Sequence, residues 1–577
     1  MIMKNAYAAL VLPEPDRTKS RARSLVHACA LLSIVASLSL CAYAAEEKPG
    51  GERFQVSYST TANPGPITGR LVLVLATKND REPRLTVAPS GPAIFGIDID
   101  HLQPNQIATV DATTLAYPVK LSDLPSGDYY AQAIIDVYTE VHRIDGHAIW
   151  VHMNDGRQET FNTAGGNLYS DVVKVHLGSG EDFKLQITHT IATTKSPDDT
   201  SWVKHVRIRS EKVSAFWGYP VYINATVLLP KGYEEHSDVR YPTIYTMGHD
   251  VPFTFDPKPG PPPTPQEIDA RGLESGYQFY QSWTGDHFPR MIAVSFQQQT
   301  PFFPDSYSVN SVNQGPYGDA MVKEVIPYLE AHFRMIAKPY ARLVEGASTG
   351  GWQTLALQLQ HPDFFGGAWV LQPDPISFRH YQMVNIYEDG NAFSIPSGPF
   401  TSAVRPMRRT GEGQVTITTR DLSLFEAVLG SHGRSGYQFE AWEAIYGPAG
   451  PDGYPIPLWD KSTGEINHSV AEYMRDHGYD LLEYTRRNWS TLGPQIIGKL
   501  HFFCGDMDNF YLNLAVYDYE ALLTTTANPH YAAEFTYGRP MKGHGWHAFT
   551  WGEMVNRMAS QVKSNAPSGE NASSWNY

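Results

Sequence analysis

Cysteine is scarce in this chain: three among 577 residues, at Cys29, Cys41 and Cys504. Two of them fall in the first 45 residues, so a chain shortened there keeps Cys504 alone and has no internal disulfide; its stability must come from packing. No Cys-x-x-Cys pair or zinc-finger spacing occurs, and neither a metal nor a cofactor is expected. Basic charge is also short, with 45 Lys and Arg against 60 Asp and Glu, a net charge of −15. A nucleic-acid partner is not expected, because such binders need a basic surface that displaces counterions. What is plentiful is apolar and aromatic material, 42% and 12% of the residues. That is enough to offset chain entropy and excludes global disorder. The length exceeds what one hydrophobic core usually spans, so two domains are expected. No repeat of solenoid period is found.

Residues 1–45 read as a secretory signal. Lys19, Arg21 and Arg23 precede an apolar run from Leu25 to Leu40, and Ala42-Tyr43-Ala44 offers the small-x-small pattern of a cleavage site. The competing reading is an uncleaved anchor, since Leu25 to Ala45 nearly reaches the length of a bilayer span. Cleavage is favoured because the run is rich in Ser and Ala and ends in that site. Lipid attachment at Cys41 is disfavoured by the bulky Leu40 before it. Cleavage removes five basic and two acidic residues and takes the net charge from −15 to −18, which favours solubility over stable membrane association. The expected location is exported, periplasmic or secreted.

From 50 to 180 the pattern is short β-like runs between Gly, Pro, Asn and Asp: Leu71 to Leu75, Tyr129 to Tyr138, His147 to Met153. This predicts an antiparallel β-sandwich as an accessory domain. Gly178-Ser179-Gly180-Glu181 and the polar run Thr193 to Thr200 mark its boundary. Over 200–563 strands alternate with helices, which predicts an α/β domain with a mainly parallel sheet. Its strands are read at Tyr241 to Met247, Met291 to Phe296, Ala341 to Glu345, Ala368 to Leu371 and His501 to Cys504. Tyr317 to Phe333 puts Met321, Val325, Leu329 and Phe333 on one helical face, with Pro327 expected to kink or shorten the helix. The stretch at about 380–495, which carries Trp442, Trp459 and Trp489, fits the alternation poorly and reads as an inserted cap. The tail 564–577, rich in Ser, Asn, Gly and Pro, is expected to be disordered.

The sharpest chemical signal is Gly346-Ala347-Ser348-Thr349-Gly350-Gly351 between a strand and a helix. Gly-x-Ser-x-Gly alone is common by chance; in this context it predicts a tight turn that projects the Ser348 hydroxyl. Larger side chains two positions away would collide with neighbouring backbone. The helix that follows aims its first amides at the same point, so the Thr349 N–H is a candidate oxyanion donor. A serine hydroxyl needs a base, and the order Ser, acid, His points to the last histidines. His544, between Gly543 and Gly545, is preferred, with His547 as the alternative. Trp546 and Phe549 are expected to pack the imidazole and exclude water. Between nucleophile and base, Gly505-Asp506-Met507-Asp508 supplies the acid: Asp508 by spacing, with Asp506 as a turn-capping alternative and Asp374 as a third. A second oxyanion donor is expected from the His249 amide in Met247-Gly248-His249, with the amides of Met247 and Gly248 as alternatives.

Taken together, Tyr241-Pro242-Thr243-Ile244-Tyr245, Gly315 to Phe333, Gly346 to Trp352, Phe364-Phe365-Gly366-Gly367, Gly505 to Asp508 and Gly543 to Trp546 resemble the Putative esterase family. That family is related to esterase D, feruloyl esterases, enterobactin esterases and mycolyltransferases. The resemblance covers roughly 205–560 outside the insertion. It implies an α/β-hydrolase fold, a nucleophile at Ser348, an acid at Asp508, a histidine at His544, and metal-free hydrolysis of a carboxylic ester, small or polymer-linked. Two other readings share these features: an acyltransferase with the same triad, and a catalytically idle periplasmic or surface binding protein. Fluorophosphonate labelling separates the enzymes from the idle protein, and product analysis with an added alcohol separates hydrolase from transferase.

Overall fold

The computed structural model describes residues 51–153, 160–248, 255–260, 274–572 and 574–577. Residues 1–45, expected from the sequence to be an export signal, lie outside them. The first element is a nine-stranded sheet. In spatial order it runs Ala108–Val110, Arg53–Tyr58, Asp182–Thr190, Leu168–Ser170, Gly127–Val137, Ile67–Ala76, Ala93–Leu102 and Leu115–Tyr117, with Val173–Leu177 also paired to Gly127–Val137. All its pairs are antiparallel except Arg53–Tyr58 with Asp182–Thr190, which is parallel. Two points depart from the sequence reading. The strands form one continuous hydrogen-bonded sheet, and that sheet ends at Thr190, not near 180. Gly178 to Glu181 is a turn inside it; the strand that follows buries only Leu185 and Ile187, so its apolar signal is thin.

The run Leu71 to Leu75 is apolar throughout because both its faces are covered. Leu71, Leu73 and Leu75 join a core internal to this sheet, and Val72 and Val74 join the large core of the rest of the molecule. The second sheet has eight strands. These are β1 (Val203–Ser210), β2 (Val221–Leu228), β3 (Thr243–Met247), β4 (Ile292–Gln297), β5 (Arg342–Ser348), β6 (Gly367–Pro373), β7 (Leu500–Gly505) and β8 (Ala533–Gly538), in the order β1-β2-β4-β3-β5-β6-β7-β8. The β2 strand is antiparallel to both neighbours and the pairs from β4 to β8 are parallel. The result is a mixed sheet in an α/β fold. The register lines up Ser295, Thr246, Glu345, Trp369, His501 and Glu534 across it. The helical stretch 317–332 contains a π turn over Met321–Val325 just before Pro327, where the missing N–H of proline would otherwise break the ladder.

The long insertion lies between β6 and β7. It holds two hairpins, Ser394–Gly398 with Thr401–Val404 and Pro406–Arg409 with Val415–Thr418, followed by helices Thr419–Leu429, α2 (Gln438–Tyr446), His468–Asp476 and Leu481–Ile496. Trp442 and Trp459 are buried within it. The tail corrects the expectation of disorder: Trp575 is fully buried, and Tyr577 stacks on His236 at 3.6 Å and hydrogen-bonds the hydroxyl of Tyr241 at 2.8 Å. Two aromatic side chains anchor a tail whose composition is otherwise polar. No helix among the described residues is long and apolar enough to cross a membrane.

Candidate active site

The turn from β5 into α1 (Thr349–Gln360) holds Ser348 at φ 58° and ψ −118°. A non-glycine residue there costs on the order of 1–3 kcal/mol, a strain that surrounding packing must sustain. The glycines around it answer to close contact. A Cβ on Gly350 would lie 2.1 Å from the Met247 carbonyl oxygen at the end of β3; one on Gly346 would lie 2.6 Å from the Gly350 carbonyl carbon; one on Gly351 would lie 2.6 Å from the Leu371 oxygen on β6. Strand and helix are thus pressed together until only glycine fits, and Ser348 sits at the apex. The first amides of α1, including that of Thr349, have no carbonyl ahead of them in the helix and face the turn. His249, the other expected donor, lies outside the described residues. Gly248 before it has φ +118°, a backbone that glycine alone adopts freely.

The acid and the histidine come from the loops after β7 and β8. His544 Nδ1 lies 2.7 Å from Asp508 Oδ2. A carboxylate only accepts, so Nδ1–H donates and fixes the tautomer with Nε2 free to take a proton. Asp508 is fully buried and held in turn: its Oδ1 accepts the backbone N–H groups of Phe510 at 2.8 Å and Leu512 at 3.3 Å. The loops meet through Asn509, whose Oδ1 accepts the His544 N–H at 2.8 Å; a Cβ on Gly543 would lie 2.6 Å from that oxygen. Burial works against a charged imidazole at His544, but the Asp508 charge and hydrogen bond, aided by the Asp374 charge, outweigh it and raise its pKa; Arg408 opposes them weakly.

The remaining predicted residues fall elsewhere. Asp506 accepts the Lys542 N–H at 3.1 Å and braces the turn. His547 packs against Trp551, with ring centres 4.9 Å apart. Asp374 lies beside Ser348: Ser348 Oγ donates to its Oδ1 at 3.4 Å, and its own N–H donates to the Ser348 carbonyl at 3.0 Å. Ser348 Oγ makes no hydrogen bond to His544 in this structure. The ring packed on the imidazole is Phe510, edge-on at 4.9 Å. Trp546 and Phe549 were expected there, but Trp546 lies over Gly538 and Phe549 packs on Phe503. Sequence reasoning missed Phe510 although it stands two positions after Asp508. It also missed Tyr307, Gln438 and Trp442 around Asp374, for which no local pattern exists.

The structure thus holds a strained serine at a strand-to-helix apex and a carboxylate-bound histidine on the loop after β8. Residues 275–379 match the Putative esterase family. The family match takes in β4, the turn at Ser348, β6 and Asp374, and it ends before Asp508 and His544. Solved structures similar to this chain include a ferulic acid esterase, at 15% identity over 62% of this chain and 98% of that one, with a TM-score of 0.34. The fluorophosphonate-binding serine hydrolase FphF of Staphylococcus aureus is similar at 15% identity over 62% and 98%, with a TM-score of 0.31. The S-formylglutathione hydrolase FrmB of Staphylococcus aureus is similar at 14% identity over 63% and 100%, with a TM-score of 0.31. No curated protein matches the chain.

Proposed function

We propose that this protein is an exported serine esterase that hydrolyses a carboxylic ester through an acyl-enzyme. The observation that carries the reading is the bond from His544 Nδ1 to Asp508 Oδ2 at 2.7 Å, on loops that follow strands of the same parallel sheet as a serine held at φ 58°. In this reading Ser348 Oγ turns from Asp374 toward His544 Nε2, loses its proton to it and attacks the ester carbonyl. The negative charge on the carbonyl oxygen is met by the Thr349 and His249 amides, a contribution of about 3–4 kcal/mol per donor in comparable sites. His544 returns the proton to the leaving alcohol; water then repeats the sequence and frees the acid. Asp508 holds the tautomer and supports the imidazolium.

The substrate proposed is a small or polymer-linked ester, the nine-stranded sheet being an accessory module that presents it. The position of the sheet ahead of the α/β domain in the chain supports that role. Export rests on the character of residues 1–45. A panel of chromogenic esters of varied chain length and aromaticity tests the activity: turnover by the wild-type protein that Ser348→Ala abolishes is expected, and turnover that survives the substitution overturns the assignment.

A further inference from the structure

Asp374 is a buried carboxylate that the sequence offered as a triad acid, yet His544 is already held by Asp508. Its two oxygens differ. Oδ1 faces Ser348 Oγ at 3.4 Å. Oδ2 accepts the hydroxyl of Tyr307 at 2.5 Å and that of Thr349 at 3.1 Å. Tyr307 is fixed from the insertion: Trp442 Nε1 donates to its hydroxyl at 2.8 Å and Gln438 Nε2 at 2.5 Å, both from α2. Donors therefore run from the insertion to a carboxylate that touches Ser348, both through Tyr307 and directly, since Gln438 Nε2 and Trp442 Nε1 also reach Asp374 Oδ2, at 3.2 and 3.4 Å. Every one of these donors points toward Asp374, which is the arrangement that suits a charged acceptor.

We propose that Asp374 is a positioning residue for Ser348: anchored by Tyr307 and α2, its carboxylate holds the hydroxyl of the resting nucleophile and adds a second negative charge to the surroundings of the His544 imidazole. The idea rests on the esterase reading and adds the residue that couples the insertion to the nucleophile. Burial, then the Asp374 charge, keep the Tyr307 phenol far above its ordinary pKa, so it stays a donor across the working range. Among the described residues, the leading charges that act on His544 are Asp508 and Asp374, which favour its protonated form, and Arg408, which opposes it. Removing the Asp374 charge therefore lowers the pH at which the imidazole becomes a competent base.

The test is the rate of labelling by a fluorophosphonate as a function of pH for the wild-type protein, Asp374→Asn and Tyr307→Phe. Asparagine keeps the shape and an acceptor but not the charge, so the midpoint should move down by about half a pH unit or more. Tyr307→Phe keeps the charge but loosens the carboxylate; it should change the labelling rate severalfold with little movement of the midpoint. Folded Asp374→Asn with an unchanged midpoint overturns the proposal. If that variant does not fold, Tyr307→Phe with unchanged rate and midpoint overturns it. A wild-type protein that takes no label at any pH instead overturns the esterase reading itself.

Discussion

Asp508 reaches His544 across two loops that are far apart in the chain, and the bond between them, 2.7 Å from Oδ2 to Nδ1, sets which imidazole nitrogen carries the proton. Asp508→Asn keeps the shape but loses the charge and presents an amide that favours the wrong tautomer. On the proposed mechanism kcat should fall by roughly a thousand- to ten-thousandfold with the fold intact. Circular dichroism and ester turnover measured on the same preparation check both halves of this statement. The same measurements on Asp506→Asn should give near wild-type turnover, because that side chain holds the Lys542 N–H rather than the imidazole, and an amide oxygen can still accept that bond.

The apex glycines make a sharper steric prediction. Gly350→Ala would put a Cβ 2.1 Å from the Met247 carbonyl oxygen, which belongs to β3 and cannot step aside. Separation of the turn from β3 moves Ser348 and the Thr349 amide together, so turnover should fall at least a hundredfold. Steady-state kinetics against the chromogenic panel measure the loss.

The contact between the front sheet and the insertion can be tested in the same way. Arg70 donates from Nε and Nη2 to the Val428 carbonyl, at 3.0 and 2.8 Å, at the end of helix Thr419–Leu429. A Cβ on Gly96 would lie 1.9 Å from that oxygen. Gly96→Ala should destabilise the protein by about 1–3 kcal/mol or more. Gly51→Ala, which meets nothing within 4 Å, should be neutral. Denaturant midpoints compare the two.

Stability should also depend on pH through Glu345, buried in the middle of the second sheet. Burial pushes its carboxyl from 4.5 up to about 8, with the Thr246 hydroxyl opposing. A carboxyl whose pKa is raised on folding binds its proton more tightly in the folded state. Stability is therefore greatest below about pH 4.5 as far as this group is concerned, and is lost as pH rises toward 8. The loss is on the order of several kcal/mol. Glu345→Gln should flatten the decline in Tm between pH 5 and pH 8.5, which calorimetry at the two pH values reads directly.

Local features were legible in the sequence and distant ones were not. The glycines around Ser348 announce themselves because strand, turn and helix are contiguous, and the five middle strands of the second sheet are apolar enough to stand out. Its margins did not: β1 and β8 are about half polar, and β2 interleaves Asn224 and Thr226 with its apolar residues. The strand Asp182–Thr190 escaped notice because its parallel partner, Arg53–Tyr58, lies at the other end of the module. Trp575 and Tyr577 sit in a polar tail, where composition outvotes two anchors. The surroundings of Asp374 draw on Tyr307, Thr349, Gln438 and Trp442, four positions brought together only by the tertiary fold. Phe510 was within reach, two residues past the acid, but nothing in the local pattern distinguishes it from Trp546 as the partner of the imidazole.

The central claim is that Ser348 is the nucleophile. It is tested most directly by treating the protein with a fluorophosphonate and mapping the adduct by peptide mass spectrometry. The account predicts one phosphonylated residue, Ser348, with labelling lost in Ser348→Ala and strongly slowed in His544→Ala. An adduct on a different residue, or undiminished labelling of Ser348→Ala, would contradict it.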